Sequence, residues 1–144
     1  MTSRLRWTQL LRYGWPVLVL LGILWFPFDW LSTVWPLFGG PFRAVFHNAH
    51  DHFIGHMVFF GIVGVLVLAY LPGLRSTPQW YLLGVVLAAL LQETIQAVFR
   101  HQVPTFTDVN AFNGDALGAA LAWVAVFLLA HFGKARHPSQ VKHP

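Results

Sequence analysis

Four apolar segments of roughly twenty residues each constrain the fold of this chain more than any other feature of its sequence. An α-helix needs about 20 apolar residues to cross ~30 Å of hydrocarbon. The chain of 144 residues is 56% hydrophobic and only 10% charged, whereas soluble domains average about 25% charged residues. The sequence therefore predicts one all-α, polytopic membrane domain over 1–144, a bundle of four transmembrane helices with a polar tail at 134–144. The predicted spans are approximately 14–35, 53–71, 80–99 and 111–132.

The basic residues predict how the four spans are oriented. Four spans place both termini on one side of the membrane, and that side carries seven of the nine basic residues. By the positive-inside rule, we expect both termini and the 72–79 loop in the cytoplasm, with 36–52 and 101–110 facing outward. The first segment is long and lacks a small-x-small cleavage site, so we expect a retained span and not a signal peptide. The seven basic residues are Arg4, Arg6, Arg12, Arg75, Lys134, Arg136 and Lys142.

The acidic residues gather at the opposite, outward side. The stretch HNAHDHFIGHM, which begins at His47, adds four of the eight histidines at the start of the second span. An ionisable side chain inside a span costs a few kcal/mol, so it usually faces protein or water and marks a functional site. We therefore expect an outward-facing polar layer that forms a binding site. All five acids lie at this outward side: Asp29, Asp51, Glu93, Asp108 and Asp115.

The third span carries the centre of this predicted site. Glu93, Gln96 and Arg100 stand at i, i+3 and i+7, which places them on one face of a helix. Buried Glu93 needs a partner, either Arg100 or a histidine of the second span, among which His56 lies deepest. The same constellation also permits a purely structural ion pair that fixes helix packing.

Three aspartates extend the predicted polar layer. Asp108 stands before the fourth span, where it is a candidate binding residue or an N-cap of the helix. Asp115 enters the same span less than two turns later. Asp51 precedes the deepest histidine and is placed to orient an imidazole.

The histidine-rich stretch offers a candidate metal site. His52 and His56 stand at i, i+4, a spacing that suits two ligands of one ion. A third ligand would come from His47, His50 or Glu93. The spacing along the chain does not place any of these three beside His52 and His56. The sequence therefore predicts no bound metal and no cofactor.

Small residues predict where helices approach closely. Gly114, Gly118 and Ala122 form a small-xxx-small ridge on the fourth span, and Gly84 and Ala88 form a shorter one on the third. In lipid, such ridges favour close helix packing because little hydrophobic force drives association there. We expect both ridges at helix–helix contacts.

Three loose motifs follow one another in a fixed order over about half of the chain. The first pairs a histidine with an aromatic residue and a glycine, the second is Glu-x-x-Gln followed by an arginine, and the third is an acid before a turn-like glycine motif. These motifs are His56, Phe60 and Gly64; Glu93, Gln96 and Arg100; and Asp108 with 115–118. Their order and spacing resemble those of the VanZ-like family of bacterial membrane proteins.

The resemblance implies a four-span protein of the bacterial cell envelope, and it does not imply a reaction. The chain departs from the family pattern at two positions. The family often has an Asp-Lys pair just before the histidine, but here Asp51 lies five residues before His56 and no lysine is present. Asp115 stands where the family usually has asparagine. The family is named after a protein associated with resistance to the glycopeptide teicoplanin.

These observations lead to one function and two alternatives. The leading prediction is an inner-membrane protein whose outward polar pocket binds a lipid headgroup or a cell-wall or polysaccharide precursor. In it, Arg100 contacts an anionic group, Glu93 holds Arg100, and His56 exchanges hydrogen bonds with the ligand. The alternatives are a membrane-embedded hydrolase or transferase that uses His56 and Glu93, and an accessory subunit of a larger membrane complex. Nucleic acid is not an expected partner, because the basic residues follow the topology and form no recognition motif.

Overall fold

Helices account for all the regular structure in the described residues, which are 3–101, 103 and 105–135 of a computed structural model. This confirms the all-α prediction. Six α-helices and one 3₁₀ turn at Pro72–Arg75 follow one another along the chain. The helices are α1 (Ser3–Leu24), α2 (Phe28–Val34), α3 (Pro36–Val45), α4 (Ala49–Tyr70), α5 (Pro78–Arg100) and α6 (Phe106–Ala135).

Three of these helices are long and apolar enough to cross a membrane. They are Ala49–Tyr70, Pro78–Arg100 and the Asp108–Phe132 part of α6. They correspond to the second, third and fourth predicted spans, which are confirmed as helices. Three apolar helices of this length indicate a membrane protein. Of the predicted polar tail, Lys134 and Ala135 continue α6, and 136–144 lie outside the described residues.

The first predicted span, 14–35, is not one continuous helix. It is broken between Leu24 and Phe28, where α1 and α2 meet at an angle of 52°. The cause is Pro27, which has no N–H to donate and disfavours the helical conformation of the residue before it. Counting this bent pair as one span brings the number of candidate spans to four.

The predicted outward loop 36–52 is also largely helical. It contains α3, which starts at Pro36, a residue suited to the first helical position. Gly39 of α3 packs so closely on the carbonyl group of Ser32 that a Cβ would collide with it, and Arg43 Nη1 donates to the same carbonyl oxygen at 2.9 Å. We call 28–45 the α2–α3 hairpin.

Helix α4 begins earlier than predicted. Asn48 is its N-cap, and the Asn48 side chain accepts a hydrogen bond from the Asp51 amide at 3.0 Å. His50 was predicted to precede the helix and instead lies in its first turn. His47 does precede it, as predicted.

The small-residue ridge of α6 packs directly against α4, as predicted. A Cβ at Gly118 would overlap the Met57 carbonyl oxygen and lie 3.0 Å from the Gly61 amide nitrogen. One turn further along, a Cβ at Gly64 would lie 2.9 Å from the Cβ of Ala122. Only small residues permit backbones to come this close.

The shorter ridge on α5 behaves differently. Gly84 is exposed, and a Cβ there would meet nothing within 4 Å among the described residues, so its predicted helix contact is wrong. Ala88 does lie at a contact, because its carbonyl oxygen accepts a hydrogen bond from Trp25 Nε1 at 3.2 Å. That bond joins the end of α1 to the middle of α5.

Two apolar clusters hold the helices together. Leu24, Phe60 and Ala89 meet halfway along α4 and α5. Leu68, Tyr81 and Ala119 meet nearer the end where α4 finishes and α5 starts, and the Tyr81 hydroxyl donates to the Ala119 carbonyl at 3.0 Å. The other end, where α4 and α6 begin and α5 finishes, carries the polar residues, and we call it the polar end.

Candidate functional site

Three helices each bring one ionisable side chain to the same point near the polar end. His56 comes from α4, Glu93 from α5 and Asp115 from α6. His56 Nδ1 is 2.8 Å from Asp115 Oδ1 and 3.9 Å from Glu93 Oε1. Asp115 is completely buried, Glu93 is 9% exposed, and the His56 side chain is 16% exposed. We call these residues the His–Glu–Asp cluster.

The cluster has hydrogen-bonding capacity left over. Neither carboxylate oxygen of Glu93 accepts a hydrogen bond from the described part of the chain, and the same holds for Asp115 Oδ2. The 3.9 Å between His56 Nδ1 and Glu93 Oε1 is too long for a hydrogen bond. Burying such groups without partners costs free energy, so each is expected to have a role. These oxygens are buried, so a partner for them has to enter the cluster itself.

Arg100 pairs with Asp108, not with Glu93 as the predicted function required. Arg100 Nη2 lies 2.5 Å from Asp108 Oδ1. Glu93 stands seven residues earlier on α5, about 10 Å along the helix axis. His101 closes α5 in the left-handed conformation at φ 52°, and the chain then returns to bring the first turn of α6 beside Arg100.

Asp108 is not the N-cap that its position suggested, because α6 begins at Phe106 and Asp108 lies in its first turn. Its Oδ2 accepts hydrogen bonds from the backbone N–H and the hydroxyl of Thr105, which precedes the helix. In a capping box, the side chain three residues after the N-cap accepts a hydrogen bond from the N-cap N–H. Asp108 makes this half of the motif with Thr105. Asp108 therefore joins a helix start to an ion pair at the edge of the site.

A cavity with two adjoining lobes of about 260 and 270 Å³ lies between the α2–α3 hairpin and the polar end of α4, α5 and α6. The break at Pro27 makes room for it, because α2 turns away from the direction of α1. Ligand sites in proteins are commonly clefts of a few hundred Å³ with a few polar groups among apolar ones. Both lobes are lined by Asp29, Phe42, Phe46, His52, His56 and Gln96.

A row of aromatic rings runs along the α2–α3 hairpin, and three of its members, Phe28, Phe42 and Phe46, line the cavity. The Phe28–Phe38, Phe38–Phe42 and Phe42–Phe46 ring centroids are 6.3, 5.3 and 4.8 Å apart. The row ends on His52, 5.5 Å from Phe46. Offset and tilted aromatic pairs at these distances stabilise one another, so the hairpin is tied to the start of α4.

The structure brings seven of the eight predicted binding residues together. One of the seven, Asp115, contacts His56 but does not itself line the cavity. Asp51 is the exception, because its Oδ2 lies 2.7 Å from Nδ1 of His47, whose side chain is 67% exposed. The remaining six line the first lobe: His52, His56, Glu93, Gln96, Arg100 and Asp108.

Sequence reasoning missed the contribution of the α2–α3 hairpin. Asp29, Thr33 and Arg43 line the first lobe, and Gln92 of α5 lines the second. Asp29 was counted among the outward acids but was not assigned to the site. Pro27, two residues earlier, was the available signal that the helix breaks there and directs Asp29 toward the cavity.

Carboxyl groups outnumber guanidinium groups around the first lobe. Arg100 Nη2 is paired with Asp108, while Arg100 Nε is buried without a partner in the described part of the chain. Arg43 Nη1 is bonded to a backbone carbonyl. An isolated anion is therefore a poor ligand here, whereas hydroxyl groups and cations fit the free carboxylate oxygens. The charged groups at or directly beneath the lobe are Asp29, Glu93, Asp108, Asp115, Arg43 and Arg100.

Comparisons of the chain with protein-family models, with curated proteins and with solved structures find no match. The resemblance to the VanZ-like family stays a prediction from the motifs. The motif residues His56, Glu93, Arg100 and Asp108 do lie near one another, around the first lobe of the cavity.

Proposed function

We propose that this chain is an inner-membrane protein of the bacterial envelope, VanZ-like, with both termini in the cytoplasm and the polar end facing outward. Its function in this proposal is to bind the headgroup of a membrane amphiphile, either a lipid or a lipid-linked cell-wall or polysaccharide precursor. The observation that carries the proposal is the cavity at the polar end, with ionisable groups on one side and aromatic rings on the other.

The two kinds of lining match the two parts of an amphiphile. His56, Glu93 and Gln96 offer hydrogen bonds to a headgroup, and Glu93 has both carboxylate oxygens free of bonds to the described residues. Phe42 and Phe59 line the second lobe and offer apolar surface to the adjoining part of the molecule. Buried polar groups that lack protein partners give selectivity, because only a ligand with matching groups satisfies them.

The charge of the cavity indicates the kind of headgroup. Arg100 was predicted to contact an anionic group, but its Nη2 is taken by Asp108. With an excess of carboxylates around the first lobe, headgroup hydroxyls bind Glu93 directly, and an anionic headgroup needs a cation with it.

Two matched threonines test whether the cavity holds an amphiphile. Thr33 and Thr94 are both exposed, and each hydroxyl bonds to a carbonyl of its own helix at 2.7 Å. Only Thr33 lines the cavity. We expect Thr33→Trp to occlude the cavity and remove the amphiphile that native mass spectrometry detects on the protein in mild detergent. Thr94→Trp should retain it.

Two results would contradict the proposal. The first is a wild-type protein that carries no amphiphile under these conditions. The second is equal retention by Thr33→Trp and Thr94→Trp, because the retained molecules would then be ordinary annular lipid on the outer surface.

A second candidate function is catalysis on the same amphiphile, as a membrane-embedded hydrolase or transferase. The 2.8 Å bond between His56 Nδ1 and Asp115 favours it, because a carboxylate in this position orients an imidazole for proton transfer. The test is turnover of headgroup-labelled lipids by the protein in liposomes. If His56 acts as a base, Asp115→Asn should slow turnover by at least about a hundredfold without loss of binding. No turnover by the wild type would reject this candidate.

A further inference from the structure

The His–Glu–Asp cluster has the composition and spacing of a metal site. One ligand atom from each of His56, Glu93 and Asp115 can be chosen so that all three lie within 4.8 Å of one another. Ligand atoms about 2.1 Å from one ion are about 3.0 to 3.4 Å apart. The distances from His56 Nδ1, 2.8 Å to Asp115 and 3.9 Å to Glu93, fall on either side of that range. A small rotation of the two carboxylates would bring all three around one ion.

Two buried carboxylates point independently to a ligand. Asp115 is completely buried, yet its Oδ2 has no hydrogen-bond partner in the described part of the chain. Glu93 is 9% exposed, and neither of its oxygens has such a partner. Two neighbouring carboxylates that share one imidazole leave an excess of negative charge in a poorly solvated place. A divalent cation satisfies the free oxygens and removes this excess.

We propose that His56, Glu93 and Asp115 bind one divalent transition-metal ion at the floor of the cavity. One imidazole and two carboxylates suit Mn²⁺, Fe²⁺ or Zn²⁺, and the chain has no cysteine to supply a softer ligand. Three protein ligands beside a cavity leave coordination positions for water or a ligand, the pattern of metal sites that act on a ligand. This inference goes beyond headgroup binding and does not depend on it.

The site differs from the one that the sequence suggested and then rejected. The i, i+4 pair His52 and His56 was considered, and no metal was expected because no third ligand had a fixed spacing. The proposed ligands instead come from three helices that are far apart in the chain, and His52 is not among them. The prediction named Glu93 as one possible third ligand but did not consider Asp115, which helix packing brings beside His56.

The test is metal binding by the tag-free, full-length protein in detergent micelles. The protein is stripped with a chelator and titrated with Mn²⁺ or Zn²⁺, and bound metal is measured by elemental analysis after gel filtration. We expect about one ion per chain and an increase in Tm of several degrees with the ion in excess. Asp115→Asn and Glu93→Gln keep the side-chain shapes and should each weaken binding at least about tenfold.

Histidine variants separate this site from adventitious binding. His47→Ala and His50→Ala remove exposed imidazoles outside the cluster and should leave stoichiometry and affinity unchanged. His52→Ala should also retain the ion, which distinguishes the cluster from the i, i+4 pair. If His47→Ala or His52→Ala lowers binding as much as Asp115→Asn, the assignment of ligands is wrong.

A spectroscopic readout keeps the proposal testable if the cluster variants do not fold. Pulsed electron paramagnetic resonance of Mn²⁺ on the wild-type protein should show coupling to the nitrogen of one imidazole. Absence of nitrogen coupling, or much less than one ion per wild-type chain, would overturn the proposal. Loss of amphiphile binding with metal binding intact would reject the proposed function alone.

Discussion

Gly118 is the position where a single methyl group should most clearly disturb the bundle. A Cβ there would overlap the Met57 carbonyl oxygen, lie 2.8 Å from the Met57 carbonyl carbon and lie 3.0 Å from the Gly61 amide nitrogen. These atoms all belong to the backbone of α4, so no side-chain rotation can relieve the collision. Gly118→Ala must therefore push α4 and α6 apart.

The expected cost follows from two opposing effects. Adding a methyl group to a tightly packed contact destabilises by about 1 to 3 kcal/mol. Replacing glycine by alanine inside a helix stabilises by about 1 kcal/mol. The net loss for Gly118→Ala is then about 0 to 2 kcal/mol, which lowers Tm by up to roughly 8 °C for a domain of this size. Gly118→Leu should lose more, because its branched side chain has to fit the same contact.

Gly84 provides the matched control. It also lies within a long helix, but a Cβ there would meet nothing within 4 Å in the described part of the chain. Gly84→Ala should keep or slightly raise Tm, since only the gain in helix propensity remains. The measurement is thermal unfolding of each variant in one detergent, followed by circular dichroism. A Tm for Gly118→Ala equal to or above that of Gly84→Ala would refute a tight α4–α6 contact.

Two further predictions concern the ion pair and the topology. Asp108→Asn should destabilise by about 2 kcal/mol or more, because it leaves the partly buried Arg100 without its carboxylate. The double variant with Arg100→Leu should lose less than the sum of the two single losses, measured by thermal unfolding, and additive losses would contradict a coupled pair. The native chain has no cysteine, and Gly40 and Gly73 are both exposed with open space around them. In intact cells, an impermeant thiol reagent should label Gly40→Cys and not Gly73→Cys; labelling of Gly73→Cys would overturn the proposed topology.

Much of the fold could be predicted because single helices are local structures. The runs that became α4, α5 and α6 are long and apolar, and such runs in a membrane protein satisfy their backbone groups only as helices or closed barrels. The ridge at Gly118 and Ala122 was likewise readable, since small residues four apart lie on one helix face. The break at Pro27 was not predicted, because apolar residues continue on both sides of it and hide the change of direction.

The site was predictable in its members and not in its pairings. Two partners for Glu93, Arg100 or a histidine, are compatible with the sequence. Which of them pairs with Glu93 depends on how α5 and α6 pack against each other. His101 ends α5 in the left-handed conformation, Asp108 of α6 pairs with Arg100, and Glu93 faces His56. Contacts of this kind join residues on different helices and have no periodic signature in the chain.

Photocross-linking from the cavity tests the central claim, that an amphiphile binds at the polar end. Phe42 lines both lobes, and Trp80 is 62% exposed near the start of α5, away from the cavity. A benzophenone amino acid would replace each residue in turn, and mass spectrometry would identify what is attached after illumination in native membranes. We expect one discrete amphiphile on the Phe42 variant and a mixture of bulk lipids on the Trp80 variant. The same bulk-lipid mixture at both positions, or no adduct at Phe42, would contradict headgroup binding in the cavity.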